Sequence, residues 1–87
     1  MSDTADAALL VAVRALVADA VGVTIEEVRA EALLIGYGID SIRAVELLDQ
    51  ANERFDVTLD ERDLQRFVTV ADVARAIGAR RAQRTRT

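Results

Sequence analysis

Gly38, Asp40 and Ser41 stand in the segment GYGIDSIRAV, just ahead of apolar residues that recur at helical spacing. Aspartate is a preferred residue immediately before a helix, so Asp40 is expected to cap one whose first turn contains Ser41. The backbone N–H groups of a first turn are unpaired and the helix dipole is positive there. A phosphate joined to the Ser41 oxygen would therefore be stabilised. The chain has no histidine to take the serine proton, so Ser41 is not a self-activated nucleophile. If it reacts, another protein must supply the base and the metal. An Asp-Ser pair is also an ordinary helix start, and the dipeptide alone favours that plainer reading.

The remaining side chains add little chemistry. The absence of cysteine excludes disulfides, thiolate nucleophiles and sulfur-ligated metals. The absence of histidine removes the usual general base and the commonest metal ligand. Aromatic residues are 3% of the chain, too few to stack on nucleic-acid bases. Carboxylates, hydroxyls and one tyrosine are a poor catalytic kit, and an enzyme is not expected.

Charge narrows the partners. Residues 1–78 hold seven arginines against 15 acidic residues, a net of −8, and four arginines after residue 78 bring the total to −4. An acidic body does not suit a phosphate backbone, so no nucleic acid is expected as a partner. The run RRAQRTR at the end is read as a solvated, disordered tail over residues 79–87, separate from a domain over residues 1–78. The longest apolar run, Ala7 to Val13, is far short of the roughly 20 residues needed to span a bilayer. The opening MSDTAD lacks the positive region of a secretory signal. A soluble, cytoplasmic monomer that does not engage a membrane is expected.

Four helices account for the apolar pattern. Leu9, Val13, Leu16 and Ala20 share one face of a first helix over residues 5–20, which Gly22 ends. Thr24 and Glu27 form a capping-box pattern that predicts a short turn ending near Arg29. Leu33, Leu34 and Ile35 make the following loop so apolar that all three are expected to pack onto the bundle. A second helix runs from Ser41 to Phe55, and a brief third covers residues 61–66. Thr69 and Asp72 cap a last helix that Gly78 is expected to end. Three main helices plus a short one, with a long loop between the first and second, make an all-α four-helix bundle.

Unrolled at about 100° per residue, the second helix places Ala44, Leu47, Leu48, Ala51 and Phe55 on a core face. Ile42, Val45, Glu46, Asp49 and Glu53 fall on the opposite face. Acidic residues are ordinary there, but two branched apolar residues are not. Ile42 and Val45 either belong to a docking surface or are covered by the preceding loop, and the pattern leaves both open. Arg43 projects beside the acidic stripe rather than within it.

The longer motif GIDSIRAVELL resembles the phosphopantetheine attachment motif of acyl and peptidyl carrier proteins, in which Gly, Asp and Ser stand at the spacing of Gly38, Asp40 and Ser41. Val45-Glu46-Leu47 and Phe55-Asp56 also match recurring positions, and the resemblance covers residues 5–78, including the long first loop. It implies that a phosphopantetheinyl transferase uses coenzyme A to place 4'-phosphopantetheine on Ser41, whose arm then carries acyl or aminoacyl thioesters. It implies as further partners an acyl-loading ligase or acyltransferase and downstream synthase enzymes; the unrolled helix gives Ile42, Arg43, Val45, Glu46, Asp49 and Glu53 as the residues that would meet them.

Ile42 stands for the usual Leu, and Tyr37, after an additional Gly36, stands where Leu is frequent. Arg43 takes a place where carriers of primary metabolism commonly have an acid, and Asp49 replaces an often apolar contact. By resemblance, the run DSIRAVELL is closer to discrete carriers of polyketide or nonribosomal peptide biosynthesis than to a fatty-acid synthase carrier. The contrasting reading is a helical protein-interaction module that uses Ile42 and Val45 without modification.

Overall fold

Helix α1 (Asp3–Val21) opens the chain in the computed structural model, which describes residues 3–85. Leu9, Val13, Leu16, Val17 and Ala18 of this helix are buried, as the helical spacing requires. Its end is set by Gly22, which adopts φ +79°. The amides of Gly22 and Val23 both donate to the Ala18 carbonyl, at 2.8 and 3.0 Å. That satisfies the Ala18 carbonyl twice over and closes the helix end.

Helix α2 (Ser41–Phe55) has the expected bounds, and Leu47, Leu48, Ala51 and Phe55 form its buried face. Asp56 stops it in the left-handed conformation at φ +53°. Asn52 then turns the chain back: its Oδ1 accepts from the Leu59 amide at 2.8 Å, and its Nδ2 donates to the Leu59 carbonyl at 3.3 Å. With Val57 and Leu59 buried, this connection is anchored at both ends.

Helix α3 (Glu61–Leu64) is shorter than the expected 61–66, because the chain tightens after Leu64 into bonds three residues apart, Arg66 to Asp63 and Phe67 to Leu64. It is started by a reciprocal cap in which Asp60 Oδ1 accepts from the Asp63 amide and Asp63 Oδ2 accepts from the Asp60 amide. Helix α4 (Val70–Thr85) begins with the same device, Thr69 Oγ1 accepting from the Asp72 amide and Asp72 Oδ2 from the Thr69 amide at 2.8 Å.

Gly78 does not end α4. It lacks the positive φ of a stop residue, and a Cβ placed on it would lie 3.5 Å from Leu9 Cδ2, so it sits where α4 packs against α1. Ala, Arg and Gln beyond it are good helix formers, and the helix continues. Two of those arginines find partners: Arg80 reaches Asp60 and Asp63, and the Arg81 guanidinium lies 5.4 Å from the Phe55 ring centroid. The stretch 79–85, expected as part of a disordered tail, is thus helical, and residues 86–87 lie outside the described residues.

The connection between α1 and α2 is long for a loop without structure of its own. It is instead pinned at several points. Arg14 of α1 donates from Nε to the Val28 carbonyl at 2.7 Å and from Nη2 to the Ile25 carbonyl at 3.0 Å. The capping-box turn forms as a 3-10 turn over Ile25–Glu27, ending two residues before Arg29. The Tyr37 hydroxyl donates to the Glu27 carbonyl at 2.9 Å and accepts from the Arg29 amide at 3.0 Å. Tyrosine in place of leucine therefore adds a staple across the loop.

Three backbone bonds tie the loop to the start of α4. The Leu34 amide donates to the Val68 carbonyl, that of Val70 to Ala32, and that of Ala71 to Ala30. Leu33 and Thr69 form an isolated antiparallel bridge. Leu33 is extended, and the 3-10 turn that starts at Leu34 swings successive side chains to different sides. Leu34 is consequently buried while Leu33 and Ile35 stay exposed, so only one of the three apolar residues packs as expected.

The core of the described residues contains no polar side chain, so pH acts on this fold through its caps. Hydrogen bonds from the Thr24 amide and then its hydroxyl hold the Glu27 carboxyl below the ordinary range. Bonds from Thr69, its amide first, do the same for Asp72 against an opposing desolvation, with Arg75 adding to the effect. A group whose folded pKa is depressed contributes stability that is present above its unfolded pKa, about 4 for a carboxyl, and is lost as pH falls through the folded pKa. The thermal midpoint should fall as pH drops below about 4, and Asp72→Asn should be less stable at neutral pH with a shallower acid decline. A parallel decline in both proteins, followed by circular dichroism, would show that the Asp72 cap contributes nothing.

Candidate functional site

The chain reaches Ser41 through a tight sequence of local structures. A 3-10 turn over Leu34–Tyr37 ends at Gly38, whose φ is +82°. The Gly38 amide donates to the Ile35 carbonyl and the Ile39 amide to that of Leu34. A Cβ on Gly38 would meet nothing within 4 Å, so the backbone angle, not a lack of room, selects glycine here. Ile39 then turns into the core, while Asp40 stays at the surface.

Asp40 Oδ1 accepts from the Arg43 amide at 2.9 Å and fixes the first turn of α2. Ser41 is the first residue of that turn and is exposed. Its hydroxyl has no hydrogen-bond partner among the described residues. Buried Ile39 and capping Asp40, the two residues ahead of Ser41, thus present a free hydroxyl at the positive end of a 15-residue helix. Gly38, Asp40 and Ser41 are brought together as their spacing suggests.

The α2 surface beyond Ser41 is open. Ile42 is 73% exposed and Val45 46%, so the preceding loop does not cover them. Arg43, Glu46, Asp49 and Glu53 are exposed and have no ion-pair partner among the described residues. Arg54, on the far side of the helix, does pair, with Asp19 at 3.5 Å.

Reasoning from α2 alone missed the other half of this surface. Exposed Leu33, Ile35 and Val68 lie around a groove of about 540 Å³ that begins at Ser41, with Ala44, Leu64 and Phe67 also in its walls. A second hollow of about 500 Å³, bordered by Val45 and Leu48, shares Leu64 and Gln65 with the first. The signal was present in the apolar loop residues and in the pair Phe67-Val68 ahead of the Thr69 cap. Its meaning needed the bridge that sets α4 beside the loop.

The arrangement offers an oxygen for modification, beside an apolar groove, with no group to activate it. No cluster of His, Cys, Asp or Glu among the described residues would hold a metal ion. No helix among them is long and apolar enough to cross a membrane.

Residues 11–77 match the family model of the phosphopantetheine attachment site. The chain is 42% identical over 52 residues to the acyl carrier protein of Desulforapulum autotrophicum, covering 59% of this chain and 68% of that one. It is 32% identical over 66 residues to the acyl carrier protein of an Exiguobacterium species, covering 75% and 84%. With the acyl carrier protein of Bdellovibrio bacteriovorus it shares 36% identity over 63 residues, 71% and 81% of the two chains. A matched region that takes in the whole of α2, the loop before it, more than half of α1 and the first half of α4 leaves one conclusion: the chain belongs to the family of phosphopantetheine-binding carrier proteins, non-catalytic carriers whose prosthetic group is 4'-phosphopantetheine.

Proposed function

We propose that Ser41 is the attachment point of the prosthetic group and that the chain carries acyl intermediates as thioesters between biosynthetic enzymes. The observation that carries this reading is the exposed, unbonded Ser41 hydroxyl in the first turn of α2, held there by the Asp40 cap. When bound, 4'-phosphopantetheine supplies a terminal thiol for thioester formation. The residues present suit it. Free backbone N–H groups of the first turn favour a phosphate on Ser41, and Gly38 and Asp40 hold that turn. The apolar groove that begins at Ser41 offers an arm a surface to lie along. The names of the three relatives favour acyl over aminoacyl cargo.

Incubation with coenzyme A and a broad-specificity phosphopantetheinyl transferase should yield a single adduct by intact mass. An unmodified chain under conditions that load a control carrier would overturn the reading.

Cytoplasmic work as a monomer in polyketide or nonribosomal peptide biosynthesis is the finer form of this proposal. It rests on Arg43 and Asp49, which by resemblance replace an acid and an apolar contact of primary-metabolism carriers. Ile42 and Val45 enter an apolar hollow on each partner, and Glu46, Asp49 and Glu53 meet basic residues around it. Arg43 contacts a separate acid that selects the cognate enzyme. Charges on such a rim chiefly set encounter rate and specificity. Glu46→Arg combined with Glu53→Arg should slow association with the loading enzyme at low ionic strength, and added salt should shrink the difference. Equal association rates at low salt would place the docking surface elsewhere.

A further inference from the structure

Arg80 lies on α4 beyond Gly78 and reaches back to the short helix α3. Its Nη2 is 2.7 Å from Asp63 Oδ2 and 3.3 Å from Asp60 Oδ2. The same two aspartates make the reciprocal cap that starts α3, so one Asp63 oxygen serves both the Asp60 amide and Arg80. The Arg80 side chain is 31% exposed and that of Asp63 14%, against 76% and 70% in the Arg29–Glu31 pair. A sheltered, charge-assisted bond of this kind is screened less by solvent than an open one.

Helix α3 has little else to hold it. Four residues are too few to be stable alone, and none of them is buried. Leu64 and Phe67 pack only partly against the core. Yet Leu64 and Gln65 are the wall common to the groove at Ser41 and the hollow beside Val45 and Leu48. Where α3 sits therefore sets how wide both are.

We infer that Arg80 is a positioning residue, tethering α3 to α4 and thereby setting the width of the apolar groove that begins at Ser41. The tether is independent of what Ser41 carries; its bearing on cargo rests on the carrier function proposed above. The arginine-rich end of the chain then has a definite task within the fold, because α4 continues past Gly78 far enough to deliver Arg80.

Amide hydrogen exchange on the unmodified full chain tests this. In Arg80→Gln the amides of residues 62–67 should exchange about fivefold faster, while buried amides of α1 and α2 keep their rates. Arg80→Lys should recover most of the difference. Chemical shifts of Ala44, Val45 and Leu48, which face α3 across the groove, should move in Arg80→Gln along with those of Leu64 and Gln65. Unchanged α3 rates, equal acceleration in every helix, or shift changes confined to α4 would each overturn the tether. No prosthetic group is present in this experiment, so failure of Ser41 to load leaves its outcome readable, and the reverse also holds.

Discussion

Ser41→Ala should abolish loading completely while leaving the protein folded. Ser2 is the only other serine, and it stands outside the Gly-x-Asp-Ser pattern. The Ser41 side chain makes no hydrogen bond among the described residues, and the helix is capped by Asp40, which the substitution leaves in place. Alanine is a good helix former at an exposed first-turn position, so stability should change by no more than about 0.5 kcal/mol. Circular dichroism should show wild-type helicity and a near wild-type thermal midpoint, and intact mass after incubation with transferase and coenzyme A should show no adduct. A persisting adduct would move the attachment site away from Ser41. Loss of the fold would mean that the hydroxyl has a structural role.

Leu16→Ala and Leu47→Ala should each destabilise the fold by about 2–5 kcal/mol. Leu16 is fully buried and Leu47 is 1% exposed, and they bring α1 and α2 into one core. Truncation removes apolar area and leaves a cavity that close-packed neighbours fill only in part. A domain this small sits near the low end of the usual 5–15 kcal/mol, so about half the stability or more is at stake. Chemical denaturation should show a sharp drop in midpoint, with much of the protein unfolded at the upper end of that range. Ile42→Ala on the same helix removes an exposed side chain and should leave the midpoint nearly unchanged. Equal effects of Leu47→Ala and Ile42→Ala would mean the helical phase is wrong.

The features legible in the chain are those whose partners lie within one turn. Asp40 caps α2 through an amide three residues ahead, Thr69 and Asp72 exchange bonds across three residues, and Gly22 ends α1 through bonds reaching back four and five. Such contacts recur wherever the residue types recur, which is why the start of α2 and its phase followed from spacing alone. The placement of Ser41 at that start, without histidine or cysteine to activate it, belongs to the same class of information.

Other features depended on residues far apart in the chain. Whether Leu33, Leu34 or Ile35 turned inward depended on the bridge between Leu33 and Thr69, the Leu34–Val68 bond beside it and the 3-10 turn that follows. Gly78 reads locally as a stop, yet packing against Leu9 and the reach of Arg80 to Asp63 keep α4 going through it. The groove at Ser41 has walls from the first loop, α2 and the segment around α3, so no single stretch announces it. The residues around Ser41 thus determined where a helix starts and which hydroxyl it presents, because caps and helical phase are satisfied locally. Only the tertiary structure decided what stands beside that hydroxyl, because burial and long-range pairing override local preference wherever the two compete.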